Sequence, residues 1–201
     1  MTESSLHVLA VVGSLNRISS TRIVVSHAAA CLRDQGATVD VLDLLEEPMA
    51  LFNPDSARQS PGFAELQKRV ERADVYLLGT PDYHGSISSA LKNFLDHFWH
   101  EFAGKLFATI VASHEKGLTV TDQLRTVARQ CYAWCLPYGV SFADQVDLKE
   151  GQGLSQALDQ RLQMLAGDLR VYGEVLARQR HADLRGSTPG FLARHRKAER
   201  A

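Results

Sequence analysis

Hydroxyl and guanidinium side chains are concentrated in one short segment that directly follows an apolar run. This hydroxyl-rich segment, Gly13–Arg22, reads GSLNRISSTR, and its candidate ligands for an anion are Ser14, Asn16, Arg17, Ser19, Ser20, Thr21 and Arg22. A helix is predicted to begin at its end, and the free N–H groups and positive dipole end of a helix N-terminus favour an anion. Because hydroxyls and a guanidinium suit a phosphate, the segment predicts a phosphate site, although a merely polar loop with a capping serine has the same composition.

Three common catalytic or phosphate-binding motifs are absent from the sequence. There is no GxxxxGK[ST], which argues against a P-loop NTPase, and no GxGxxG, which argues against the usual dinucleotide fingerprint. There is also no GxSxG, so a hydrolase nucleophile elbow has no support. Any phosphate bound at the hydroxyl-rich segment is therefore expected to be held in another way.

A second group of residues has the composition of a site for a flat ligand. This ring segment, Pro81–Ser86, contains Pro81, Asp82, Tyr83, His84, Gly85 and Ser86. Proline fixes the backbone and glycine permits close approach of a ligand, while the two aromatic side chains are planar. Backbone N–H and C=O groups of such a loop can pair with the edge of a heterocycle. A tight turn with surface aromatics is the alternative, and the hydroxyl-rich segment at the same predicted sheet edge favours the ligand.

The elements that must position these residues alternate between strand and helix. Apolar runs predict five strands, at residues 6–12, 38–44, 74–79, 105–112 and 136–143. Helical spacing of apolar residues predicts helices between them and a final helix that carries Leu158, Leu162, Leu165, Leu169, Tyr172 and Leu176. This alternation predicts an α/β domain with a parallel sheet between helical layers. In such sheets ligands bind beyond the carboxyl ends of the strands, where both candidate segments lie.

Length, charge and cysteine usage limit the classes of protein that this chain can belong to. Its 201 residues suffice for one domain, which we place at residues 1–180, followed by a basic extension at 181–201 that is either mobile or an arm against a partner subunit. A net charge of −1 gives no case for nucleic acid as a partner. No apolar run approaches a membrane span, the N-terminus lacks the pattern of a secretory signal, and three cysteines are too sparse for a disulfide framework. A cytoplasmic location is the simplest expectation.

The two segments together resemble the NADPH-dependent FMN reductase family. GSLNRISST is similar to the family's phosphate loop, GSxRxxSxN, and TPDYHGSISSALKNFLDH is similar to its ring loop, TPEYNGSxPGxLKNxxDW. The resemblance covers roughly residues 6–178. It implies a flavodoxin-like three-layer sandwich with a five-stranded parallel sheet in the order 2-1-3-4-5. It also implies that Ser14, Ser19, Ser20 and Thr21 bind the FMN phosphate, that residues 81–86 border the ring, and that Ser113 and Gly117 lie on the ring's other side.

The sequence departs from the family pattern at three places. Asn16 stands where the family has arginine, with Arg17 one place later, so either Arg17 reaches the phosphate or the phosphate site is weaker. Asp82 and His84 stand where the family usually has Glu and Asn. The third segment, Ser113–Gly117, lacks the family's glycine-rich sequence.

The resemblance implies an FMN-dependent NAD(P)H oxidoreductase with NADPH or NADH as reductant and a small acceptor. The acceptor could be free flavin, a quinone, an azo compound or a metal oxyanion, and no catalytic side chain is required because the flavin carries the chemistry. An electron carrier and a flavin-binding sensor are alternatives. The near-neutral charge argues against the carrier, whereas Asn16 and the altered third segment favour the sensor. Family members usually form homodimers, and some form homotetramers.

Three other clusters have simpler explanations than chemistry. His97, His100 and Glu101 could form a metal-binding face, but exposed histidines are the simpler interpretation. Cys131 and Cys135 lie one helical turn apart, which is poor disulfide geometry, so small buried residues are favoured over a redox pair. The final helix, or the helix that carries Phe94, Phe98, Trp99 and Phe102, could contribute to a dimer interface.

Overall fold

Strands and helices alternate along the chain in a computed structural model, which describes residues 5–149, 153–187, 190 and 192. The strands are β1 (His7–Val12), β2 (Thr38–Asp43), β3 (Val75–Tyr83), β4 (Ser86–Ile87), β5 (Leu106–Ala112), β6 (Trp134–Cys135), β7 (Val140–Phe142), β8 (Leu148–Lys149) and β9 (Gly153–Leu154). The helices are α1 (Ser20–Asp34), α2 (Phe63–Arg72), α3 (Ser89–Asp96), α4 (Leu118–Gln130), α5 (Asp144–Asp147) and α6 (Gln156–Arg185). Short 3₁₀ turns lie at Ala57–Gln59 and His100–Phe102.

The main sheet has the strand order β2-β1-β3-β5-β6, and these neighbours pair in parallel. The interior strand β1 pairs with β2 and β3, with Val8 opposite both Val39 and Val75. Its residues are buried on both faces, as expected for a strand that is covered by helices on either side. The predicted α/β class and the predicted order of strands are confirmed.

The predicted count of five strands is wrong, because the sheet has seven. The segment predicted as the fifth strand, residues 136–143, contains only β7, while β6 lies just before it; both short strands pair with β5, and a gap separates them. Pro137 lies in the gap and has no N–H to donate, and Gly139 passes so close to Thr109 that a Cβ would lie 2.2 Å from its Oγ1. The seventh strand is β4, which pairs antiparallel with the end of β3 inside the ring segment.

Two apolar cores lie on opposite faces of the sheet. Val8, Ala10 and Val12 of β1 pack with α1 and α6, whereas Leu9 and Val11 pack with α2, α3 and α4. This alternation follows from the two-residue period of a strand. Phe94, Phe98 and Phe102 are at most 3% exposed and fill the second core. The expectation that they contribute to a dimer interface is therefore wrong for these three residues, while Trp99 is half exposed.

The last helix continues past the predicted domain boundary at residue 180, because α6 ends at Arg185. Leu158, Leu162, Leu165 and Leu169 are fully buried, which places the first part of the leucine row in the core. Most of the predicted basic extension lies outside the described residues, and its role stays a prediction. Among the described helices, none is long and apolar enough to cross a membrane.

Candidate functional site

The carboxyl ends of β1, β3, β5 and β7 meet at one cleft, which has a volume of about 270 Å³. The cleft is lined by Ser14, Asn16, Ile18, Ser19, Ser20, Thr21, Pro81, Asp82, Tyr83, Ala112, Ser113, His114 and Asp144. Its position is the one that open parallel sheets use for ligands. The chain continues from β1 towards one edge of the sheet and from β3 towards the other, so the strand order reverses between them. The hydroxyl-rich segment and the ring segment are therefore brought to a single site.

Nine of the predicted site residues line this cleft, namely Ser14, Asn16, Ser19, Ser20, Thr21, Pro81, Asp82, Tyr83 and Ser113. Arg17, His84, Gly85, Ser86 and Gly117 do not line it. Four further residues line the cleft that were not predicted as site residues: Ile18, Ala112, His114 and Asp144. The last three directly end or follow strands of the sheet, so the rule that ligands lie at carboxyl ends of strands could have found them.

The hydroxyl-rich segment presents buried hydroxyls at the start of α1. Ser14, Ser19 and Thr21 are 2%, 6% and 1% exposed, although they border the cleft. Ser19 is the N-cap of α1, because its Oγ accepts from the backbone N–H of Arg22 at 3.2 Å. As an acceptor in that bond, the Ser19 hydroxyl keeps its own proton for a ligand. The arrangement offers an anion several neutral donors and the positive end of a helix.

Arg22 holds the backbone of this segment and is not free to bind an anion. Its guanidinium forms an ion pair with Asp43 at the end of β2 and also donates to the carbonyl oxygens of Asn16 at 3.0 Å and Arg17 at 3.2 Å. A longer contact of 3.5 Å reaches the carbonyl of Ser14. In the sequence Arg22 is a candidate guanidinium for the phosphate, but in the structure its side chain is bound to Asp43 and to the loop. One guanidinium instead orients three carbonyl groups of the loop.

In the Arg22–Asp43 ion pair, each partner shifts the pKa of the other towards its charged form. The hydrogen bond to Asp43 raises the pKa of Arg22 above its ordinary value. Burial by itself raises the pKa of Asp43, but the hydrogen bonds from Arg22 and from backbone N–H groups outweigh it, so the net pKa is lowered. A carboxylate with a lowered pKa stabilises the fold above the ordinary aspartate pKa, and this contribution disappears as the pH falls through the folded-state value.

The ring segment is a hairpin formed by the end of β3 and by β4. Its tip residues, His84 and Gly85, have φ angles of 58° and 73°, which is the left-handed geometry that two-residue hairpin turns prefer. Asp82 faces the cleft, where its carboxylate accepts from the Gly85 N–H at 2.8 Å and from Ser113 Oγ at 2.9 Å. Asp82 therefore joins the ring segment to the third segment. The exposed Tyr83 lines the cleft beside it.

His84 is expected to be a slightly strained residue at the hairpin tip. A left-handed backbone costs most side chains about 1–2 kcal/mol, and asparagine much less. Replacement of His84 by asparagine should therefore stabilise the protein by up to about 1 kcal/mol, measured as a shift in the urea unfolding midpoint. The matched control is His114→Asn at another exposed histidine, for which the structure gives no left-handed backbone. Equal shifts in both variants would contradict this explanation.

The other candidate clusters do not form sites among the described residues. No group of three His, Cys, Asp or Glu side chains is placed to hold a metal ion in that part of the chain. Cys31, Cys131 and Cys135 are free thiols. Burial raises the pKa of Cys131 to about 11, so this thiol stays protonated at neutral pH. Cys131 belongs to the second core, as expected for a small buried residue.

Comparisons with known proteins support the resemblance. The model of the NADPH-dependent FMN reductase family matches residues 6–147. An FMN-dependent NADPH-azoreductase of Staphylococcus haemolyticus is 26% identical over 166 residues, which cover 79% of this chain and 88% of that protein.

Solved structures agree on the fold. An NADH:FMN oxidoreductase in its apo form superposes with a TM-score of 0.68 and 19% identity, over 84% of this chain and 90% of that one. The flavoenzyme NAD(P)H:(acceptor) oxidoreductase FerB from Paracoccus denitrificans has a TM-score of 0.68 and 17% identity, over 87% and 98% of the two chains.

The family match covers β1 to α5 and therefore every segment that lines the cleft. It favours the predicted oxidoreductase over the carrier and sensor alternatives, since the family consists of reductases. The chain accordingly belongs to the NADPH-dependent FMN reductase family and is an FMN-dependent NAD(P)H oxidoreductase.

Proposed function

We propose that the cleft is the FMN site, with the phosphate at the hydroxyl-rich segment and the isoalloxazine ring beside the ring segment. One observation carries this proposal: buried hydroxyls at a helix N-terminus and the end of β3 line the same cleft. The hydroxyl-rich segment and the ring segment are far apart in sequence. They meet because β1 and β3 pair in parallel, so that both strands end at the same edge of the sheet. The bound FMN would supply electron transfer between a nicotinamide and the acceptor.

The residues present fit the phosphate of FMN by their chemistry. Ser14, Ser19, Ser20 and Thr21 are hydroxyl donors, and α1 adds its free N–H groups. Among the residues that the structure describes around the cleft, none is a lysine or an arginine. Neutral donors and the helix dipole would therefore balance the phosphate charge. Arg17 stays a prediction as a phosphate ligand, because its side chain is exposed and outside the cleft lining.

The ring would lie against Pro81, Asp82 and Tyr83, with Ser113 on the third segment next to it. Asp82 already uses both carboxylate oxygens within the protein, which fixes the edge of the cleft before any ligand binds. Such preorganisation lowers the cost of ordering the site on binding. The chain thereby binds and orients the cofactor, and we assign no catalytic side chain.

The acceptor is a small molecule, and an azo compound is the first class to test. The support comes from the curated relatives, which are described as FMN-dependent NADPH-azoreductases at 24–26% identity. Quinones, free flavin and metal oxyanions are the comparison classes. We further propose a cytoplasmic location, supported by three free thiols, and a homodimer or homotetramer, which light scattering after size-exclusion chromatography would identify.

Purified protein reconstituted with FMN tests the activity. We expect a yellow complex that oxidises NADPH or NADH when an azo compound is present. Absence of FMN binding would contradict the proposed site. FMN binding with nicotinamide oxidation at background for every acceptor class would instead favour an electron carrier or a sensor.

The phosphate position is tested by replacing Ser14 and Ser19 together by alanine. Each lost hydrogen bond to a charged group is worth about 1.5–3 kcal/mol, so the FMN Kd should rise by at least about tenfold, measured by flavin fluorescence. The control is Ser155→Ala, which removes the N-cap of α6 but does not line the cleft. It should cost about 1 kcal/mol of stability and leave the Kd unchanged. An unaltered Kd in the double variant would mean that the phosphate binds elsewhere.

A further inference from the structure

The hairpin of the ring segment is too short to be stable by itself. Its two strands pair through only two residue pairs, Asp82 with Ile87 and Tyr83 with Ser86. Isolated two-stranded hairpins are at best marginally stable in water. Its tip, His84–Gly85, is exposed and has left-handed backbone angles. The hairpin therefore needs support from elsewhere in the protein to keep one conformation.

Gln123 of α4 provides this support with one side chain. Its Oε1 accepts from the backbone N–H of Ile87 at 3.1 Å and from the hydroxyl of Ser86 at 3.1 Å. Its Nε2 donates to the carbonyl of Gly85 at 3.1 Å. A carboxamide is suited to this task because it is neutral and has both a donor and an acceptor. Gln123 thus contacts three successive residues of the hairpin and does not itself line the cleft.

Asp82 holds the same glycine from the other side. Its carboxylate accepts from the Gly85 N–H, while Gln123 donates to the Gly85 carbonyl. Both peptide groups that flank Gly85 are therefore fixed. Tyr83, which lines the cleft, is separated from Gly85 by one residue, so its position depends on these contacts. Ser86 directs its hydroxyl to Gln123, which explains why this predicted ligand does not line the cleft.

We propose that Gln123 is a positioning residue, which holds the ring segment in the conformation that receives the isoalloxazine ring. The inference rests on the proposed FMN site. Gln123 acts through the hairpin and is not among the residues that line the cleft. Loss of its three hydrogen bonds should free the hairpin, and FMN should then bind to a more mobile edge of the cleft with lower affinity.

The test uses Gln123→Leu, Gln123→Glu and the matched control Gln130→Leu, which changes an exposed glutamine at the end of the same helix. Amide hydrogen exchange in residues 83–87 is measured first on the protein without FMN. We expect exchange to be faster by about tenfold or more in Gln123→Leu, and unchanged in the control. The FMN Kd and the visible circular dichroism of the bound flavin are measured next, and both should change in the same variant.

Gln123→Glu provides a readout that a merely structural role would not affect. At neutral pH its carboxylate keeps the two acceptor contacts but places an anionic oxygen against the Gly85 carbonyl. Protonation at acid pH restores a donor, so the FMN affinity of this variant relative to wild type should recover as the pH falls through the range of an ordinary glutamate, near 4.3. A relative affinity that does not change with pH would contradict the inference. Gln123→Glu also serves if Gln123→Leu does not fold.

The outcomes separate the two proposals. Wild-type protein that does not bind FMN overturns the cofactor site and the role of Gln123 towards it. Wild-type binding with unchanged hydrogen exchange in Gln123→Leu overturns the positioning role alone. Faster exchange with an unchanged Kd and flavin spectrum also overturns it, because Gln123 would then stabilise the hairpin without affecting the cofactor.

Discussion

The Arg22→Leu variant is expected to bind FMN at least about tenfold more weakly than the wild type. The reason is indirect: Arg22 holds the carbonyls of Ser14, Asn16 and Arg17 and ties the loop to Asp43. Without the guanidinium these carbonyls lose their donor, and the loop becomes free to leave the conformation that presents its hydroxyls to the cleft. Hydrogen bonds from a charged donor are worth about 1.5–3 kcal/mol each, and a tenfold loss of affinity corresponds to about 1.4 kcal/mol. The loss of a single such bond is therefore enough for the expected effect.

The Asp43→Asn variant distinguishes a positioning role of Arg22 from direct phosphate binding. If Arg22 positions the loop, loss of the Asp43 charge weakens FMN binding in the same direction as Arg22→Leu. If Arg22 instead bound the phosphate, the same change would release the guanidinium from its partner and strengthen binding. The control is Arg33→Leu on α1, where the guanidinium donates to the Val39 carbonyl at 3.1 Å and the residue does not line the cleft. Its FMN Kd should equal that of the wild type.

Replacement of Arg180 by leucine should cost about 3–5 kcal/mol of folding free energy. Arg180 and Asp74 are 9% and 8% exposed, and their Nη2 and Oδ1 atoms are 2.6 Å apart. The other carboxylate oxygen of Asp74 accepts from the His7 backbone N–H at 3.0 Å. The ion pair thus joins the end of α6 to the start of β1 and β3. Removal of Arg180 leaves the buried Asp74 carboxylate with the half-exposed imidazole of His181, 3.5 Å away, in place of its guanidinium partner. Loss of one partner of a buried pair is strongly destabilising.

Urea unfolding with Arg178→Leu as control measures this effect. Arg178 is an exposed residue two positions earlier in the same helix, so its replacement should change stability by no more than about 0.5 kcal/mol. Addition of Asp74→Asn to Arg180→Leu should recover part of the loss, because it removes the buried carboxylate charge. A loss below about 1 kcal/mol in Arg180→Leu would show that the pair is solvated like a surface ion pair.

Local sequence patterns were sufficient to predict that strands and helices alternate along the chain. The buried runs of β1, β3 and β5 are continuous because both faces of the sheet are covered, and this makes them recognisable without a structure. Ser19 was named as a hydroxyl ligand of the phosphate, and the structure also makes it the N-cap of α1. The two short strands β6 and β7 were harder to predict, since the effect of Gly139 depends on its contact with Thr109.

The role of a polar side chain could not be predicted in the same way. Arg22 is a candidate anion ligand by its residue type and its place in the hydroxyl-rich segment. In the structure its guanidinium is instead paired with Asp43, which is 21 residues away. Gln123 carries no motif at all, and its importance follows only from the packing of α4 against β4. Asp144 entered the cleft because β7 ends there.

The sequence by itself determined the fold class, the family and the two segments that form the cleft, because periodicity and short motifs are local properties of the chain. The tertiary structure decided which charged and amide side chains face the cleft and which hold its backbone. A guanidinium or a carboxamide binds whichever partner the fold brings within hydrogen-bond distance, and for Arg22 and Gln123 those partners lie on elements distant in sequence.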